Sequence, residues 1–124
     1  MSVFLTISED RIINRGKHFF MIYDAFPVSK NHLLIISNEL REDYFSLKEE
    51  EQLDLIKMIN LGKTIIEKEI MPDGYNIGMN CGEASGQTVM HFHCHLIPRF
   101  NGDVANPKGG IRHCVMGKGY YNMI

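Results

Sequence analysis

Five consecutive residues, His91-Phe92-His93-Cys94-His95, hold three of the six histidines in the 124-residue chain. On an extended segment side chains alternate between faces, so His91, His93 and His95 are expected to project one way and Phe92, Cys94 and Leu96 the other. A row of imidazoles with an apolar back suits two chemistries. A neutral imidazole, with an ordinary pKa of about 6.5, is a competent nucleophile near neutral pH. It needs one free ring nitrogen, so a fixed acceptor must hold the proton of the other. The same ring is also a common zinc ligand.

Spacing separates the two. Alternate residues on a strand lie roughly 6.5 to 7 Å apart and the outer pair roughly 13 Å apart, whereas a Zn–N bond is about 2 Å long. One ion cannot readily reach all three rings. Two rings with a third ligand such as His32 keep a metal site open as an alternative. Without a metal, the middle residue, His93, has a neighbour on each side: one to orient it, the other to serve a leaving group as general acid. Upstream, Asn80, Gln87 and Thr88 are neutral donors, and Gly82 and Gly86 allow backbone to approach a ligand. Such a set can stabilise charge on a phosphoryl group without adding positive charge. A plain connection between strands is the competing reading of this loop.

These residues need a scaffold, and the flanking patterns supply one. His18 to Asp24 and Asn31 to Ser37 are short apolar runs that suit strands, and residues 11–14 before Arg15-Gly16-Lys17 form the first arm of a hairpin. Ser46-Leu-Lys-Glu49 has the capping-box pattern and opens a helix running to about Met71, where Pro72-Asp73-Gly74 ends it. Its stripe of Leu53, Ile56, Ile59, Ile66 and Ile70, interrupted by Lys63, is either core or partner-facing. Gly62 is costly in mid-helix, and close approach of another backbone would explain it. Residues 75–80 and 90–99 are the remaining strands. Strands around one long helix imply an α+β fold with a mostly antiparallel sheet and short helical segments. Residues 1–124 read as a single domain. The stretch 101–124, with five of the eleven glycines, reads as a loop or C-terminal tail.

Composition narrows the class further. The chain is 44% hydrophobic and 23% charged, as one globular domain requires. A net charge of -2, with no run of Lys and Arg, makes a nucleic-acid partner a poor fit. No segment approaches the roughly 20 apolar residues that span a bilayer. The opening residues lack the basic start and apolar stretch of an export signal, so the expectation is a cytoplasmic protein without a membrane partner. Cys81, Cys94 and Cys114 have no CxxC spacing and are expected as reduced thiols. His18 and His113 are expected as ordinary histidines. Arg99, Lys108 and Arg112 either reach a polyphosphate tail or are solvated loop charges.

The pattern Asn80-x6-Gln87-Thr-Val-Met-His91-Phe-His93-Cys-His95-Leu-Ile resembles the histidine-triad (HIT) hydrolases. Asp24 and His32, eight apart, and Leu96-Ile-Pro-Arg-Phe-Asn-Gly-Asp103 extend the resemblance over roughly residues 10 to 112. The resemblance implies a HIT-like fold in which His93 attacks an α-phosphate and water hydrolyses the resulting nucleotidyl-histidine. It further implies that His95 meets the leaving group and that His91 and His32 orient the nucleophile. Gln87, Thr88 and Asn80 would hold phosphate and leaving group, Asp24 the ribose hydroxyls, and Ile22 and Leu34 the base. Histidine at the third triad position resembles the hydrolase branches. Asn80 resembles the purine phosphoramidase branch, whereas Pro98-Arg99 and Gly102-Asp103 resemble the dinucleoside polyphosphate branch. An adenine (purine) nucleotide is the implied substrate and a homodimer the implied assembly. No cofactor is required for the histidine chemistry, although a divalent cation can arrive with the substrate. The chain does not start with the zinc-binding CxxC of many relatives, so no structural metal is expected. A nucleotide-binding interaction module with little turnover, and a metalloprotein using the HxH pair, are the alternatives.

Overall fold

Short apolar runs become strands when both faces can be covered, and five such segments pair here into one sheet. A computed structural model describes residues 2–121. It contains β1 (Ile12–Arg15), β2 (Phe19–Tyr23), β3 (Leu33–Ser37), α1 (Glu49–Ile66), β4 (Gly74–Gly78) and β5 (His93–Arg99). The spatial order is β1-β2-β3-β5-β4, every neighbouring pair antiparallel. The α+β architecture is as the sequence patterns imply.

Alternation divides the central strands between two cores. Phe19, Met21, Leu33, Ile35, Cys94 and Leu96 pack beneath α1 with its Leu55 and Ile66. Phe20, Ile22, Leu34 and Ile36 point the opposite way and are covered by Ile12 of β1 and by Phe4 and Ile7 from the N-terminal segment. That segment is two single-turn helices, Val3–Thr6 and Glu9–Arg11. The catalytic-type face of β5 belongs to this second side.

Several boundaries differ from expectation. Ser46 does not cap α1: it ends a short turn, Tyr44–Ser46, whose cap is Asp43. The helix begins at Glu49, and Glu51 supplies the reaching-back carboxylate, accepting Lys48 N–H at 2.7 Å. It ends at Ile66 rather than near Met71, because Lys68 and Glu69 bond to carbonyls three residues back and tighten the chain into a turn. The stripe is also split. Ile66 is core and Ile59 packs against it, but Leu53 and Ile56 are 60% and 61% exposed. Gly62 faces side chains and not backbone: a Cβ there would lie 3.0 Å from Leu96 Cδ2 and 3.4 Å from Leu33 Cδ2. The glycine lets the helix settle onto the sheet at those two leucines.

The first hairpin arm is β1, with an irregularity between Ile12 and Asn14. β5 starts at His93 and not at Met90: the Phe92 carbonyl still accepts Ser37 N–H, but the Phe92 N–H turns to the Arg41 carbonyl instead of β3. Beyond β5, residues 110–114 make a short turn that lays Ile111 beside Gly78 of β4. Residues 122–124 of the expected tail lie outside the described residues.

Candidate active site

In the β3–β5 register Ile36 stands opposite His93 and Leu34 opposite His95, so both imidazoles share a face with the second core. Their ring centroids are 5.2 Å apart. They line a cavity of about 480 Å³. Val3, Phe4, Ile7, Ile22 and Leu34 form its apolar wall, and Asp24, Asn80 and Thr88 its polar lining. The sequence-derived residues Ile22, Leu34, Asp24, Asn80, Thr88, His93 and His95 are thus brought together.

His93 Nδ1 lies 2.8 Å from the His91 carbonyl, an acceptor only, so Nδ1 carries the proton. In the neutral ring Nε2 then keeps its lone pair, as a nucleophile requires. The backbone of His91 therefore orients His93.

His95 is set from the other side. The chain reverses after β2 through Pro27 and through Asn31, which adopts φ 62°, a left-handed conformation that asparagine tolerates better than most residues. This turn buries His32 immediately before β3. Val28 N–H donates to His32 Nδ1 at 3.2 Å, which puts the His32 proton on Nε2. That Nε2 lies 2.9 Å from His95 Nδ1 and 3.5 Å from Asp24 Oδ2. His95 Nδ1 accepts, so its proton sits on Nε2. Burial pushes the His95 pKa down to about 4, with His93 and His32 adding to the effect and Asp24 opposing it. Burial likewise lowers His32, against the pull of Asp24. Both rings are neutral at pH 7, and His95 is a neutral N–H donor.

Asp24, His32 and His95 place one ligand atom each within 4.8 Å of one another, the spacing of a metal site. Their protons argue against one. A metal needs the lone pair of His32 Nε2, but the Val28 amide occupies Nδ1 and holds the proton on Nε2. That proton goes instead to His95 Nδ1, with the Asp24 carboxylate 3.5 Å away.

Two expected residues sit elsewhere. His91 is not part of an exposed imidazole row. It is completely buried, with Nε2–H to the Ser37 carbonyl and Nδ1 at Ser2 Oγ, both 2.7 Å. It keeps the alternation all the same: its ring meets Phe4 on the side of His93, while Phe92 packs into the core beneath α1. Gln87 is also buried and does not line the cavity. Its Oε1 accepts Gly82 N–H at 2.8 Å, and its Nε2 donates to the carbonyls of Glu42 (2.6 Å) and Val89 (3.1 Å). It fixes the loop that presents Thr88. Arg41 ties the same neighbourhood to α1, its carbonyl accepting Phe92 N–H and its guanidinium meeting buried Glu51 at 2.9 Å.

The candidate tail-binding cations are largely engaged. Arg99 is bidentate on Asp103 and also donates to Asn76, and Arg112 donates to the Gly119 carbonyl and lies over Tyr121. His113 bonds the Lys108 carbonyl. Sequence reasoning missed Ser2, Val3, Phe4, Ile7 and Arg11. Phe4 and Ile7 are apolar and three apart, but so short a segment carries no readable period.

The chain matches the HIT domain model over residues 6–102. An uncharacterized HIT-like protein of Methanocaldococcus jannaschii is 33% identical, over 75% of this chain and 71% of that one. The AP-4-A phosphorylase of Mycobacterium tuberculosis is 27% identical over 80% of this chain, which spans 51% of that protein. The adenosine 5'-monophosphoramidase of Schizosaccharomyces pombe is 33% identical over 63% of this chain and 56% of its own length. Among solved structures, a HIT family protein from Bacillus anthracis superposes with a TM-score of 0.70 at 28% identity, covering 91% of this chain and 70% of that one. The matched span takes in Asp24, His32, the loop to Thr88 and all three triad histidines, and on these grounds the chain belongs to the HIT-domain family.

Proposed function

We propose that the protein is a nucleotide hydrolase that cleaves dinucleoside polyphosphates or nucleoside phosphoramidates at the α-phosphate through a nucleotidyl-His93 intermediate. The observation that carries this reading is the hydrogen-bond pattern: His93 Nδ1 is taken by the His91 carbonyl and His95 Nδ1 by His32, which leaves Nε2 of the first as the acceptor and Nε2 of the second as the donor in neutral rings that line one cavity. His93 Nε2 attacks phosphorus, and the bond from phosphorus to the leaving oxygen or nitrogen breaks. His95 N–H donates a hydrogen bond to a leaving phosphate oxygen, and the charge it stabilises grows as the bond breaks; a leaving nitrogen takes a proton from solvent and departs as the neutral amine. Water then displaces the imidazole, its proton passing to solvent, and the nucleoside monophosphate leaves. Thr88 and Asn80 hold the phosphoryl oxygens, Asp24 the ribose, and the Phe4, Ile7, Ile22 and Leu34 wall an adenine or other purine. No cofactor enters these steps, and a divalent cation would come only with the substrate. The named activities of the mycobacterial and fission-yeast relatives support adenine nucleotides as the substrate class.

The assembly we propose is a homodimer paired through the exposed Leu53 and Ile56 on α1. All three cysteines are free, which supports the cytoplasm as the compartment; among the described residues no helix is long and apolar enough to cross a membrane. Chromatography of products from adenosine phosphoramidate and diadenosine tetraphosphate, with chelator present, tests the activity. AMP release from either is expected. Release that requires added metal would overturn the reading in favour of a metalloprotein, and tight binding without release would favour an interaction module.

A further inference from the structure

The N-terminal turn reaches the reacting histidine through a single hydroxyl. Ser2 Oγ accepts Phe4 N–H at 3.2 Å and lies 2.7 Å from His91 Nδ1. A hydroxyl has one proton to give. Donated to Nδ1, it leaves the proton of His91 on Nε2, where the Ser37 carbonyl accepts it. Both nitrogens of this fully buried ring are then fixed. The backbone carbonyl of the same residue receives His93 Nδ1–H. Phe4, held by the same hydroxyl, stands edge-on to His91 and His93 with ring centroids 5.6 and 5.0 Å away.

We propose that Ser2 is a positioning residue for the nucleophile: its hydroxyl locks the ring of His91, and the carbonyl of His91 in turn keeps the His93 proton on Nδ1 and Nε2 free. Without that hydroxyl, His91 Nδ1 is a buried acceptor with no donor, an arrangement that proteins avoid. The ring then turns or changes tautomer, the Ser37 carbonyl loses its donor, and the backbone beneath His93 is no longer held. A second consequence concerns recognition. Val3, Phe4 and Ile7 of the same segment line the cavity. A base seated against them pins the turn that carries Ser2, so engagement of the base and alignment of His93 are coupled. Substrates truncated at the base lose turnover and not only affinity.

The inference rests on His93 as nucleophile, but its first test does not. Long-range 1H–15N correlation spectra of the labelled full chain assign the ring proton of each histidine. Ser2→Thr keeps the hydroxyl, and Ser2→Val has the same shape without it. The unmodified chain and Ser2→Thr are expected to show His91 protonated on Nε2 and His93 on Nδ1, and Ser2→Val to show mixed tautomers at both. Formation of the nucleotidyl-enzyme in a single turnover should fall about tenfold in Ser2→Val, the scale of one lost hydrogen bond, with KM changed by less than about twofold. A folded Ser2→Val with the tautomers and rate of Ser2→Thr would overturn the proposal. If the unmodified chain forms no adduct, the hydrolase reading fails, and the ring-proton comparison still decides the part played by Ser2.

Discussion

His32 Nε2 stands 2.9 Å from His95 Nδ1, and the hydrogen between them belongs to His32, because its other nitrogen already accepts the Val28 amide proton. One turn of backbone thus decides which face of His95 donates into the cavity. It also decides that His95 works as a neutral donor, since burial holds its pKa near 4.

Stability should therefore depend on pH in a definite direction. His95, His32 and His91 are all held below their ordinary value of 6.5, in each case by burial first. The unfolded chain binds protons that the fold refuses, so this contribution is full above about pH 6.5 and is lost as pH falls toward about 4. Each group adds a slope of at most about 1.4 kcal/mol per pH unit. The thermal midpoint should drop over that range, and His95→Asn should flatten the drop. A midpoint indifferent to pH would refute the assignment.

Gln87 acts through the loop and not through the substrate. Gln87→Glu would turn two donated hydrogen bonds into oxygen facing the Glu42 and Val89 carbonyls. We expect a loss of about 2 to 3 kcal/mol of stability in urea denaturation, with a parallel loss of kcat as Thr88 loses its support. Unchanged stability with a raised KM alone would instead place the side chain on the nucleotide.

Gly62 tests the helix–sheet contact. Gly62→Leu should cost about 1 to 3 kcal/mol, because a side chain there must displace Leu96 and Leu33. Gly62→Ala should cost far less, since the helical preference for alanine, worth about 1 kcal/mol, opposes the tight Cβ contact. Equal stability for the glycine and leucine forms would show that α1 does not rest on those residues.

Association is checked at the exposed helix face. Ile56→Glu places a charge in the proposed interface and should yield a monomer in sedimentation, with the fold retained. A monomer before substitution, or a dimer after it, would contradict that interface.

The scaffold was largely legible in the sequence because its signals are local. The apolar runs at 18–24 and 31–37 hold β2 and β3, whereas α1 ends at Ile66, ahead of Pro72-Asp73, and Gly74 already opens β4. Long-range pairing was not legible. The alternation holds back to His91, but nothing near that residue announces that the Ser37 carbonyl and the Ser2 hydroxyl close over its ring and bury it. Gln87 looked like a phosphate donor because its partners, Gly82 and the Glu42 carbonyl, are brought to it only by folding. Ser2 and Phe4 are illegible for the same reason: Ser2 stands 89 positions from the His91 ring that both of them meet.

The most direct measurement of the central claim is mass spectrometry of the intact chain after millisecond mixing with diadenosine tetraphosphate and chelator. The quench is denaturing and kept alkaline, since a phosphorus–imidazole bond is labile to acid. The account predicts a transient adduct of one nucleotidyl group on His93, absent in His93→Ala, whose nucleotide binding persists. Product release without any adduct, or turnover that survives in His93→Ala, would contradict it.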